Sequence, residues 1–476
     1  MKNRILFISL AVVLALSMGL MGCGGDEVPE IPEQPTTLVI GMARDGDESL
    51  AIFDAVGGGL VIREFVAQVN AAGGVHLKAY DTANNPPVMV PLEIDRREFN
   101  VGTWDIGDIT AEICADIADG DVHFLFGGPG TDCIFTQAPI ANGAKTVLLT
   151  FEGGATSIAN DPTKLAKWPF VFITLSYSDW YELPVLSQIL EDELGRTPKA
   201  YVVHIWGEHG EEYLATAQAN FDVVGDVEVA YDPAEMAPDE VILGAIDALG
   251  DPNDPDYDLF CAFVYPDHVF ALTGVSMALG FNPPAMVFGP GANFGFYAGS
   301  FPEPGPGANP FLVDGILAFT VAAYNANTRI QAVYDQLAAR MDDDAGDPAA
   351  GIPGVPGIFS LDYWGIPCYW SGLQMWLAAV ESVGYVDQEL IRDALAAFED
   401  DPMETVMADE TWFRMYGTPG NGGGNLDYLC HTGEIGQWQS AAFQTLGYEG
   451  ITDDLPNYVV TGDFMFPMTD LWKWLP

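Results

Sequence analysis

Residues 259–281 read LFCAFVYPDHVFALTGVSMALGF. The first seven, Leu259 to Tyr265, are an unbroken apolar and aromatic run without the polar alternation of a half-exposed strand. Such a run fits a strand covered on both faces, which is the setting of a parallel sheet. Pro266-Asp267 interrupts it, and a helical pattern follows from Val269 to Leu279. A buried strand, a turn at its carboxyl end and a covering helix form the repeating unit of a doubly wound α/β fold.

The same unit recurs on either side. Strand-like runs stand at LVIGMA (38–43), VHFLFGG (122–128), TVLLTF (146–151), AYVVHIW (200–206), AMVFGP (285–290) and GILAFTV (315–321). Helical patterns lie between or after them at 60–72, 180–194, 211–223, 327–341 and 369–383. The body from residue 38 onward holds too many units for one sheet of ordinary width. It predicts an α/β protein with two doubly wound parallel-sheet lobes. Two such lobes form a cleft at their junction, and ligands of this architecture sit at the carboxyl ends of the strands. The Pro- and Gly-rich stretches 300–310, 342–356 and 417–425 read as surface loops.

Composition narrows the function. The 476 residues carry 17 Lys and Arg against 68 Asp and Glu, a net charge of −51. A nucleic-acid binder needs cations to displace counterions from phosphates, so that class is excluded. Attachment to anionic lipid by charge alone is excluded for the same reason. Hydrophobic residues make up 49% of the chain, enough to build large cores despite the charge.

The N-terminus reads as an address. Lys2 and Arg4 precede an apolar run from Ile5 to Leu16, and Leu20-Met21-Gly22-Cys23 follows. This ending resembles a bacterial lipobox, which implies a lipoprotein signal peptide over 1–22 and a lipid on Cys23. Residues 23–37 read as a flexible tether. Downstream cysteines stand at 114, 133, 261, 368 and 430. Cys261 lies in an apolar run and is expected to be a buried thiol; Cys114–Cys133 is the expected bridge.

Enzyme motifs are absent or defective. In Gly289-Pro290-Gly291-Ala292-Asn293-Phe294-Gly295 the third glycine falls one residue too late for a dinucleotide fingerprint. Asp254, Asp256 and Asp258 open like a calcium loop, but Leu259 stands where glycine is needed and Tyr265 where the final Glu is needed. No P-loop, GxSxG or HExxH occurs, and no Cys/His spacing suggests zinc. No catalytic residue, metal or cofactor is expected.

At this level the segments resemble a known family. LVIGMA with the later Val69-Asn70-Ala71-Ala72-Gly73-Gly74-Val75 is similar to the opening of type I periplasmic binding proteins of the branched-chain amino acid class. VHFLFGGPGTDC (122–133), APIANGAKTVLLT (138–150) and GGATS (153–157) resemble its next units. KAYVVHIWGEHGEEYLATAQ (199–218), the stretch at 259–281 and ESVGYVDQELIRDALAAFE (381–399) resemble the later ones. The N-A-A-G-G element is fairly specific; the remainder persuades by order.

The resemblance implies a pair of lobes that exchange chain through three hinge crossings, near 172–176, 288–291 and 413–418. Lobe 1 would then comprise 38–173 and 290–413, and lobe 2 would comprise 174–289 and 414–476. It also implies ligand contacts. Thr131, Ala155 and Thr156 fall where the family holds a carboxylate, Asp267 where an acid holds an ammonium, and Tyr177 and His209 where aromatic walls stand. Each position has an ordinary rival: Thr131 and Asp267 as helix caps, Thr156 as a turn hydroxyl, His209 as a surface turn residue. His209-Gly210 replaces a frequent Tyr-Gly pair, and Glu152-Gly153 reads as an insertion before GGATS. The implied function is a lipid-anchored, extracytoplasmic solute-binding protein that delivers an amino-acid-like ligand to an ABC permease. A ligand-sensing receptor module of the same fold is the alternative, and a secreted two-lobed enzyme stands behind it.

Overall fold

The computed structural model describes residues 33–46, 50–78, 87–100, 103–154, 168–175, 182–251, 254–301, 313–320, 327–343, 361–415, 424–428, 434–439, 442–452, 455–460 and 464. The first lobe begins with β1 (Leu38–Asp45), followed by the short helix α1 (Ile52–Val56) and α2 (Gly58–Ala71). Next come β2 (Leu92–Phe99), α3 (Ile106–Asp119), β3 (Phe124–Phe126), α4 (Thr131–Gly143), β4 (Leu148–Thr150) and β5 (Val171–Ile173). The chain then crosses to the second lobe: α5 (Leu183–Leu194), β6 (Lys199–Ile205), α6 (Glu208–Asn220), β7 (Asp222–Val229) and α7 (Pro238–Leu249). That lobe continues through β8 (Leu259–Phe263), α8 (Pro266–Leu279), β9 (Ala285–Phe288) and β10 (Leu317–Thr320). The chain returns to lobe 1 for α9 (Thr328–Asp343), α10 (Ile366–Val383), α11 (Gln388–Ala396), β11 (Thr411–Met415) and β12 (Gly424–Tyr428). It ends in lobe 2 with β13 (Glu434–Gln439), β14 (Ala442–Thr452) and β15 (Leu455–Val460).

The opening unit forms as its residues dictate. All five residues of β8 are buried, and it pairs in parallel with β6 on one side and β9 on the other. Its apolar run thus packs against helices on both faces, which is why no polar alternation is present. Pro266 starts α8, where its missing N–H costs nothing, and Gly280 ends the helix in a left-handed cap. Lobe 1 is a seven-stranded sheet of order β11-β12-β5-β4-β3-β1-β2, parallel except for the β11–β12 pair.

Lobe 2 is an eight-stranded sheet of order β15-β14-β13-β10-β9-β8-β6-β7. Its first five strands in sequence are mutually parallel, whereas β13–β15 add an antiparallel edge. The sequence reading gave parallel sheets alone and did not anticipate this edge.

Sheet membership moves two boundaries. β10 pairs in parallel with β9, so the chain is still in lobe 2 at Thr320 rather than leaving it near 288–291. Leu317 and Phe319 are buried in the lobe 2 core, and that burial keeps the run there. Likewise β11 turns back as β12, which pairs with β5, so lobe 1 extends to Tyr428 rather than ending at 413. The three crossings therefore fall between Ile173 and Leu183, between Thr320 and Thr328, and between Tyr428 and Glu434.

The cysteines also differ from expectation. Cys114 and Cys133 are free and buried, so they form no bridge. Cys114, on α3, packs in one core with Ile113 and Val122, while Cys133 joins the larger central core, so the two thiols face different apolar layers. Cys261 is a fully buried thiol, as its surroundings in the sequence predict. Cys430 and Cys23 lie outside the described residues. Among the described residues no helix is long and apolar enough to cross a membrane.

Candidate ligand cleft

Loops at the carboxyl ends of the two sheets meet face to face. Lobe 1 contributes Arg44-Asp45 at the end of β1, Gly127–Asp132 after β3 and Phe151–Gly154 after β4. Lobe 2 contributes Trp206–His209 after β6, Tyr231 after β7, Tyr265 after β8 and Gly289–Asn293 after β9. Two glycines permit the approach. Gly130 has φ 94°, and a Cβ there would lie 3.1 Å from the Tyr265 hydroxyl of the opposite lobe. Gly207 has φ 111°, and a Cβ there would lie 2.8 Å from Asp132 Oδ1. Both positions need the left-handed region and open space, which glycine alone supplies without strain.

The lobe 1 face is ionic and rigid. Arg44 is fully buried and grips Glu152 with two bonds, Nη2 to Oε1 at 2.6 Å and Nη1 to Oε2 at 2.8 Å. Its Nε reaches Asp54 at 3.1 Å, and Asp54 also holds Arg96 at 3.0 Å. Burial works against the Arg44 charge, but the Glu152 and Asp54 carboxylates outweigh it and keep the guanidinium protonated. Glu152 adopts φ 53°, an unusual conformation for a residue with a side chain, and the ion pair helps to hold it there. Its carbonyl accepts from Gly130 N–H at 3.0 Å. The loops after β3 and β4 are thereby tied together and to the end of β1. Asp362, just before α10, is buried beside Glu152; burial pushes its carboxyl up to about 8. Its Oδ1 accepts from Trp364 N–H at 2.7 Å, while Oδ2 has no hydrogen-bond partner among the described residues.

The lobe 2 face is aromatic. His209 stacks on Tyr265 with ring centres 4.9 Å apart and planes 13° from parallel, and it meets Tyr213 edge-on at 5.0 Å. Burial pulls the imidazole down to about 3, so it is neutral, and Nε2 makes no hydrogen bond among the described residues. Tyr231 packs edge-on against Trp104 of lobe 1 at 5.4 Å. Polar links also cross between the lobes. Asp132 Oδ1 accepts from Glu208 N–H at 2.8 Å, and Oδ2 lies 3.4 Å from the Tyr265 hydroxyl. Glu182, immediately before α5, accepts from Tyr213 Oη at 2.8 Å and from Trp364 Nε1 at 3.3 Å.

Of the residues expected to touch ligand, Thr131 and His209 come together at this junction, each adjacent in sequence to one end of the Asp132–Glu208 link. Thr131 is the first residue of α4 and is buried. Its hydroxyl donates to Gly154 O at 2.7 Å, so in this state it joins two loops instead of capping its helix. Asp267 lies in the first turn of α8 and is solvent-exposed, and the capping position expected of it is held by Tyr265. Ala155, Thr156 and Tyr177 lie outside the described residues. Sequence reading missed Arg44, Asp132, Glu152, Glu182 and Tyr265. A cation is rare in this chain and Arg44 ends the first strand, which was the available signal. Glu182 offered none, because its donors stand 31 and 182 residues away. Among the described residues no group of three or more His, Cys, Asp or Glu is placed to hold a metal ion.

No protein-family model matches the chain, and no curated protein matches it in sequence. Solved structures do match in shape. The branched-chain amino acid transporter substrate-binding protein LivJ from Streptococcus pneumoniae, in complex with isoleucine, superposes with a TM-score of 0.61 at 14% identity. That match covers 89% of this chain and all of the other. The leucine-binding protein LivK from Thermotoga maritima gives 0.60 at 13% identity, over 88% of this chain and 100% of that one. A solute-binding protein from R. palustris in complex with benzoate gives 0.58 at 16% identity, over 88% and 98%. Identities this low speak to architecture alone, and the architecture is that of the type I periplasmic binding proteins: two α/β lobes, each built on a largely parallel sheet.

Proposed function

We propose that the protein captures a small organic solute between its lobes and delivers it to the permease of an ABC importer, without transforming it. The observation that carries this reading is the meeting of glycine-bearing strand-end loops from two sheets across three chain crossings, a geometry suited to closing around a ligand. Closure would report occupancy to the transporter, because the closed form alone presents both lobes in register. An apolar amino acid or a related amide is the favoured ligand. Its carboxylate would be held by the loops at Thr131 and at Ala155-Thr156, and its ammonium by Asp267, with Tyr177 and His209 as walls. N–H groups at strand ends and helix starts favour a carboxylate.

An aromatic acid is the second candidate, supported by the aromatic wall of His209, Tyr265 and Tyr213 and by the benzoate bound in one protein of similar shape. We place the mature chain outside the cytoplasmic membrane, anchored by lipid on Cys23. A thermal-shift screen against amino acids, amides and aromatic acids tests the binding reading. A true ligand at a hundred times its dissociation constant stabilises by about 2.7 kcal/mol. Chemical conversion of a stabilising solute would overturn the reading in favour of an enzyme.

A further inference from the structure

We infer that the two lobes are clasped by reciprocal carboxylates, Asp132 reaching from lobe 1 to lobe 2 and Glu182 from lobe 2 to lobe 1, and that closing the cleft takes up protons on them. Helix α6 has no side-chain cap of its own, since Gly207 occupies the capping position. Asp132 supplies that cap from the other lobe, accepting the Glu208 N–H at 2.8 Å. An N-terminal amide left without a partner is costly in a buried setting, and a carboxylate at a helix N-terminus is favoured by the aligned peptide dipoles. The missing Cβ of Gly207 provides the room, because one there would press on Asp132 Oδ1. Glu182 mirrors this arrangement. It is held within lobe 2 by the Tyr213 hydroxyl and accepts the indole N–H of Trp364, which packs against Phe53 of lobe 1 with ring centres 6.4 Å apart.

Neither carboxylate has a cationic partner among the described residues; Glu182 is buried and Asp132 half-buried. The groups facing Asp132 are Glu208, Tyr265, Tyr231 and the thiol of Cys133. Those facing Glu182 are Tyr213 and Trp364. Burial pushes Asp132 up to about 6 and Glu182 up to about 7, although the hydrogen bonds pull the other way. An open cleft would return both towards the ordinary carboxylate range near 4. Closed-state values above open-state values mean that closure is favoured as pH falls through about 7, and is opposed as pH rises. His209 acts in the contrary sense, being buried neutral, as pH falls through its ordinary value of about 6.5. Asp362 titrates higher, at about 8, and its neighbours are Glu152, Asn293 and Trp364.

The clasp serves the solute-capture reading but is tested without any solute, so either can fail alone. Small-angle scattering on the full chain from pH 8 to pH 6.5 reads the closed fraction. The two carboxylates alone would raise the ratio of closed to open molecules roughly fivefold, and His209 offsets about half of this at pH 6.5, so a rise of about two- to threefold is expected in the parent. The ratio should not rise in the double variant Asp132→Asn, Glu182→Gln, which keeps only the opposing contribution of His209. The remaining acids are untouched in that variant, so an equal rise in both proteins would trace the effect to general charge repulsion and overturn the proposal. A flat parent profile would also overturn it. Should the double variant fail to fold, Asp132→Ala gives a second reading by hydrogen exchange. The Glu208 amide should lose protection at least about tenfold relative to the middle of α6. Unchanged protection there would reject the cap across the cleft.

Discussion

The two faces of the cleft are built on opposite principles. The lobe 1 face is fixed by charge: Arg44, Glu152 and Asp54 bind three separate segments into one block. The lobe 2 face is fixed by packed rings: Tyr265 stacks on His209 and Tyr213 on Phe263, the two pairs meeting edge-on, with neighbouring centres about 5 Å apart. Removing one member should therefore have very different consequences on the two sides. A buried charge cannot lose its partner cheaply, because the survivor is left in a medium that solvates it poorly. A ring in a stack can be exchanged for another ring of similar size with little loss.

The largest effect is expected at Arg44. Arg44→Met leaves Glu152 buried without a cation and deprives Asp54 of one of its three. Breaking a buried pair in this way typically costs about 3–5 kcal/mol, which should appear as a clear drop in the urea midpoint. The double variant Arg44→Met, Glu152→Gln should recover part of the loss. If it is no more stable than the single variant, the ion pair is not what holds the loop after β4.

How much of this was readable beforehand follows the same division. The strand–helix rhythm was legible because burial on two faces leaves an unbroken apolar run, as in Leu259–Phe263, and that signal is local. The crossings were not, because whether GILAFTV pairs with β9 or leaves the lobe depends on long-range pairing that its own residues do not encode. Thr131 and His209 were singled out through the resemblance, and both lie at the junction of the lobes. Arg44–Glu152 spans 108 residues and Glu182–Trp364 spans 182, so no window of sequence contains either. Glu152 even looked like an inserted residue, yet its left-handed backbone and its ion pair make it central to the lobe 1 face.

A smaller effect belongs to Asp362. Its folded-state value of about 8 lies above the ordinary carboxylate range, so its protonated form is the one that the fold accommodates. The associated stability is whole below about pH 4 and is lost as pH rises through about 8. Asp362→Asn retains an oxygen to accept from Trp364 N–H and cannot ionise. Urea denaturation at pH 5 and pH 9 should show a parent that weakens by at least about 1 kcal/mol more than the variant. Parallel profiles would mean that Asp362 is charged in the folded protein and has a partner beyond its present neighbours.

The smallest change in stability is expected at His209, and it is the most informative for function. His209→Phe preserves a flat ring against Tyr265 and removes a buried nitrogen that makes no hydrogen bond. Losing an unsatisfied polar atom offsets imperfect packing, so stability at pH 8 should stay within about 1 kcal/mol of the parent. The acid limb should differ more. The imidazole is depressed to about 3 in the fold, so the stability it contributes is present above about 6.5 and drains away as pH falls towards 3. The phenylalanine variant has no such group and should resist mild acid better. Solute binding separates two roles for the same residue. If Nε2 is unpaired because it waits for a ligand, the variant will melt like the parent but lose the thermal shift given by the identified solute. If the ring only packs, the shift will persist, and the lobe 2 wall must recognise its ligand through some other group.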